Sequence, residues 1–109
     1  MTQTSLPAWH RMKTDETRAV ESALRAQFAE ADAYRYNSAS IRVRVVDSRF
    51  KGKSTEKRDA MVERVFSQLP QSTQADIINL LTLYPDETND SLSKSLANEE
   101  FEHHTKSSL

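Results

Sequence analysis

Between Ile41 and Leu69 the chain switches from strand periodicity to helix periodicity across its only glycine, and that switch dictates an α+β fold. Ile41, Val43 and Val45 put apolar side chains on one side of an extended chain, with Arg42 and Arg44 on the other. This is a strand with one buried face, and it leaves the arginine face to solvent or a partner. After Phe50, Lys51-Gly52-Lys53-Ser54-Thr55 supplies a turn at the residue for which positive φ costs least, then two side chains suited to capping a helix. A helix therefore starts near Ser54 or Thr55. From Met61 onward Val62, Val65, Phe66 and Leu69 keep the i, i+3, i+4 spacing of one helical face, until Pro70, which cannot continue the ladder.

The flanking segments supply the rest of a small core. With Thr14 or Asp15 as cap, Val20, Ala23, Leu24, Phe28 and Ala31 line one face of a first helix, its start favoured by Asp15 and Glu16. A short strand, Asp32 to Tyr36, then turns through Asn37-Ser38-Ala39-Ser40 into the strand at Ile41. Pro70-Gln71-Ser72-Thr73 predicts one helical turn through Ala75, and the branched apolar run from Ile77 to Leu83 predicts a third strand, central or fully covered. Pro85 opens a last short helix. The expected core comprises Val20, Leu24, Phe28, Ile41, Val43, Val45, Val62, Val65, Phe66, Ile78 and Leu80.

A chain of 109 residues fits one such domain. The expected division is a flexible arm over 1–13 whose Trp9 either lies over the domain's edge or is free for a partner, the α+β domain over 14–90, and a flexible acidic tail over 91–109, where Leu92, Leu96 and Phe101 are too sparse for a core. With no cysteine in the chain, disulfides, thiolate zinc sites and cysteine redox chemistry are excluded. The first residues lack the basic start and apolar run of a leader and no later run would span a bilayer, so a soluble cytoplasmic protein without membrane contact is expected. Charge is unevenly spread: residues 40–64 hold eight Lys/Arg against four Asp/Glu, residues 65–109 two against seven. Solvated surface charge gives the same counts, but so does an anion-binding face shielded by an acidic segment.

The order helix, two strands, helix, helical turn, strand is that of the type II KH-like fold: α+β, αββαβ, a three-stranded sheet with helices on one face. Within it, Val45-Val46-Asp47-Ser48-Arg49-Phe50-Lys51-Gly52-Lys53-Ser54 followed by Arg58 resembles the valine-rich strand, phenylalanine, glycine, serine and arginine of the BolA-like proteins. Thr82-Leu83-Tyr84-Pro85-Asp86-Glu87 resembles that family's threonine and proline turn, and the likeness runs from about Asp32 to Glu87. It implies a non-enzymatic binding or regulatory module. Its partner-facing groove would join the loop and helix start 49–58 to the region near Asp76, and its partner would be a protein of glutaredoxin-like kind. The family's usual histidines are replaced by Asp59 and Asp76, and its tryptophan after the proline turn by Thr88. In the family, the histidine near the last strand is associated with bridging an iron-sulfur cluster to a monothiol glutaredoxin. Carboxylate is a poor substitute on such a cluster, so no cofactor is expected.

The residues themselves suggest two other chemistries. Gly52-Lys53-Ser54 ends like a phosphate-binding P-loop, but Asp47 stands where the first glycine is needed, which excludes nucleotide hydrolysis. A helix start flanked by Lys51, Lys53 and Lys57 can still receive an anion, although an ordinary capped helix with solvated lysines has the same sequence. Arg42 and Arg44, with Arg49 and Lys51 beyond them, could meet a nucleic-acid backbone, though a decorated sheet face reads identically and no KH loop accompanies them. The candidate partner- or anion-binding residues are thus Arg42, Arg44, Arg49, Lys51, Gly52, Lys53, Ser54, Lys57, Arg58, Asp59 and Asp76. His103 and His104 are adjacent rather than helically spaced, Asp59 and Glu63 suit surface ion pairs, and no nucleophile has an evident base, so neither a metal nor a catalytic site is expected.

Overall fold

Alternating burial along the central strand organises both halves of the molecule. The structure, a computed structural model, describes residues 6–104; expectations for 1–5 and 105–109 lie outside the described residues. A 3-10 turn at Ala8–Arg11 leads into α1 (Asp15–Arg25), β1 (Glu30–Asn37) and β2 (Ser40–Val46). A second 3-10 turn, Ser48–Phe50, precedes α2 (Thr55–Phe66), α3 (Gln71–Asp76), β3 (Ile77–Leu83), α4 (Glu87–Asp90) and α5 (Leu92–Glu102). This is a single α+β domain with a three-stranded mixed sheet, the class expected.

The caps fall where the sequence puts them. Thr14 accepts from the Thr17 backbone N–H at 3.3 Å while Thr17 Oγ1 accepts from the Thr14 N–H at 2.9 Å, a reciprocal closure of the α1 start. Ser54 Oγ accepts from the Lys57 N–H at 3.3 Å and starts α2. However, α1 ends at Arg25, short of the expected helical positions Phe28 and Ala31. The Ala29 N–H donates to Asp47 and Arg25 Nε to the Ala31 carbonyl, both 18 residues or fewer away in sequence, and these bonds draw the segment into β1 instead.

Val20, Leu24, Phe28, Ile41, Val43, Val45, Val62, Val65 and Phe66 form the expected core between the sheet and α1 and α2, joined by Phe50 and Leu69. Two other expected members do not join the buried set: Ile78 is 64% exposed and Leu80 only half-buried. The reason is topological. β2 has two edges; the β1 hairpin takes one antiparallel, and the crossover through α2 brings β3 parallel onto the other, so β3 is an edge strand rather than the central or covered one expected. A register shift leaves Ile78 unpaired between Ile77, opposite Ile41, and Asn79, opposite Arg42.

The second face of the sheet departs most from expectation, because it is covered. Trp9, Tyr34, Leu81, Leu83 and Phe101 form a second buried cluster, with Trp9 3% and Phe101 2% exposed. Residues 8–11 are therefore packed against the sheet rather than loose, and 92–102 form α5 rather than a flexible tail. Among the described residues no helix is long and apolar enough to cross a membrane.

Candidate functional site

The loop after β2 is built around Asp47. Its carboxylate accepts from the Arg49 backbone N–H and Nε, each at 2.9 Å, from Arg49 Nη2 at 3.0 Å and from the Ala29 N–H at 3.0 Å. Hydrogen bonding to the Arg49 side chain lowers the carboxyl to about 2. The folded value lies below the ordinary 3.8, so ionised Asp47 stabilises the fold above that pH and the contribution fades as pH falls toward 2. Asp47→Asn should cost about 1–2 kcal/mol at neutral pH, discounted for the exposed arginine, and should flatten the stability loss below about pH 4. Urea titrations of both proteins across acid pH check this.

Arg49 is thereby committed to the fold, donating also to the Gln27 carbonyl at 2.6 Å. Arg58 is more so. Only 5% exposed, it donates from Nε to the Lys53 carbonyl at 2.9 Å and from Nη1 to the Thr82 carbonyl at 3.2 Å and Glu87 Oε1 at 2.6 Å. It ties loop, β3 and α4 together from inside. By contrast Lys51, Gly52, Lys53, Ser54 and Lys57 are all exposed, and Gly52 takes φ +80°. Lys53 and Lys57 make no ion pair among the described residues. Lys51 Nζ lies 5.9 Å from the Tyr84 ring centroid beside an open hollow of about 390 Å³ lined by Ser48, Lys51, Tyr84, Pro85, Asp86 and Asp90. Asp86 enters the α4 turn in the left-handed region, φ 68°.

The two aspartates expected to share one groove are separated. Asp59 accepts from Thr82 Oγ1 at 3.4 Å, close to the loop, and burial pushes its carboxyl up, with Glu63 adding to the effect. Asp76 sits just before Ile77 at the far end of β3, paired with Arg35 at 2.8 Å. Since Ile77 lies opposite Ile41 and Leu83 opposite Val46, the length of the strand, about 20 Å, divides them. Region 49–59 and Asp76 are therefore two places, not one. Among the described residues no group of three or more His, Asp or Glu could hold a metal ion.

Arg42 and Arg44, expected on an open face, lie under α5. Arg44 reaches Glu102 at 2.7 Å, Asn98 at 3.0 Å and Asp32 at 3.0 Å, and Arg42 reaches Glu100 at 3.0 Å. Sequence reasoning missed this contact and the Trp9, Tyr34 and Phe101 cluster within it. The available signal was the pairing itself: a hairpin with Tyr34 opposite Arg42 puts an aromatic ring among arginines on one face, which needs a cover. Compared with family models, with curated proteins and with solved structures, the chain finds no match.

Proposed function

We propose that the chain is a non-enzymatic, BolA-like binding module that engages a protein partner of acidic surface through the loop and helix start 49–58. The observation that carries this reading is the exposure of Lys51, Lys53 and Lys57 around a left-handed Gly52, while Arg49 and Arg58 hold that loop rigid from behind. Cations with no ion-pair partner among the described residues, on a preordered backbone, lose little entropy when an acidic surface arrives. The hollow against Tyr84 and Pro85 offers an apolar seat beside them. A glutaredoxin-like protein is the partner class the resemblance suggests. Such a partner is held by charge and shape, because Asp59 and Asp76 stand where the family has histidines and carboxylate is a poor ligand for such a cluster. The nucleic-acid alternative keeps only the lysines in this closed arrangement.

The test is a titration of the labelled chain with a cluster-loaded monothiol glutaredoxin, followed by backbone amide shifts and visible absorption. Shifts confined to 49–58 with an unchanged cluster spectrum are expected. Reversing Lys51, Lys53 and Lys57 together to glutamate should weaken the complex at least about tenfold and leave its folding intact, since none of the three is buried. An altered cluster spectrum would overturn holding by charge alone, and shifts elsewhere would move the site.

A further inference from the structure

We propose that the sheet face beneath α5 is a binding surface for single-stranded nucleic acid, and that α5 is its intramolecular competitor. The face joins two kinds of group that such ligands require. Tyr34 and Trp9 offer stacking rings, and Arg42 and Arg44 stand on the neighbouring strand to meet phosphates. The α5 helix occupies both kinds of place. Its one buried side chain, Phe101, sets its ring 5.0 Å from Tyr34 and 5.6 Å from Trp9, where a base would stack. Its carboxylates Glu100 and Glu102 approach Arg42 and Arg44 at 3.0 and 2.7 Å, where phosphate oxygens would lie. The uneven charge along the sequence thus has a structural meaning, an acidic helix seated on an arginine strand.

The cover is held mainly through polar contacts, from Asn98, Glu100 and Glu102 to the arginines and from Lys94 to Thr55. Toward solvent α5 displays Leu92, 76% exposed, and Leu96, 62% exposed, one turn apart. A helix kept only for packing would turn such residues inward. At the seam beyond α5 the Nδ1 of His104 is buried without a hydrogen-bond partner among the described residues. Because the competitor is tethered, its effective concentration is high, and the unaltered chain binds weakly.

The test uses the full chain and fluorescence anisotropy of a labelled oligouridylate, with a duplex of equal length as control. Glu100→Gln with Glu102→Gln keeps Phe101 but removes the charges that hold α5 on the arginines, so α5 competes less well; Phe101→Ala removes the plug. Both variants should bind the single strand at least about tenfold more tightly than the unaltered chain, less so as salt rises. Adding Arg42→Gln and Arg44→Gln should abolish the gain. Circular dichroism verifies folding, and if Phe101→Ala unfolds, the glutamine pair decides alone. No tightening in that pair overturns the proposal. So does a gain that survives loss of both arginines, which would assign it to the loop lysines, or an equal gain for duplex, which would mean charge without stacking.

Discussion

Replacing Arg58 by alanine should destabilise the domain by about 3–5 kcal/mol, read as a lowered urea midpoint. Arg58 and Glu87 are 6% and 8% exposed at their side chains, and removing the cation leaves the carboxylate buried without its counter-charge. Two carbonyls, of Lys53 and Thr82, lose their donor at the same time. Arg58→Lys should recover only part of the loss, because one ammonium cannot supply Nε to the loop and Nη1 to β3 and α4 together. The double change Arg58→Met, Glu87→Leu should return about half of it, since removing both charges also removes their desolvation penalty. A loss below about 1 kcal/mol for Arg58→Ala would mean that the pair is solvated and the bolt between α2 and α4 is absent.

That expectation runs against the sequence reading, in which Arg58 belonged to a binding surface, and the contrast marks the limit of local patterns. Periodicity and caps made α1, β2 and α2 legible because both are written within a dozen residues: Ile41, Val43 and Val45 alternate, and Ser54 stands directly before its helix. The exposure of Lys51, Lys53 and Lys57 was legible for the same reason. Arg58 meets its partner 29 positions away, and nothing near it in sequence announces that a carboxylate will be buried there. β3 was readable as a strand from its branched residues, but whether it lies at the centre or the edge depends on which strand it pairs with across the crossover, and it pairs with β2 alone. The arginine face was hidden more deeply. Arg42 and Arg44 alternate with core residues as solvent-facing side chains do, and each is paired with a carboxylate 58 positions on. The cover itself uses one phenylalanine and a set of ion pairs rather than an apolar stripe, so its sequence has the composition of a tail.

Trp9 gives the second large effect, and it separates a packed N-terminal segment from a free arm that waits for a partner. Trp9→Ala should cost about 3–5 kcal/mol, because the indole is 3% exposed, stacks on Tyr34, 5.8 Å away, and meets the tilted ring of Phe101 at 5.6 Å. Its Nε1 donates to Glu102 at 3.0 Å, the same carboxylate that Arg44 holds, so the loss reaches α5 through both the ring and the charge. Amide exchange should accordingly quicken in α5 far more than in α2, which packs on the other face of the sheet. Trp9→Phe should keep the stacking and forfeit only the hydrogen bond, about 0.5–1.5 kcal/mol. As the chain's only tryptophan, Trp9 also reports on itself: its native emission should be blue-shifted and shielded from acrylamide, and both properties should vanish in urea. Emission at the solvent-exposed wavelength, or a Trp9→Ala protein as stable as the parent, would return residues 8–11 to the status of an arm and leave Phe101 without the ring that seats it.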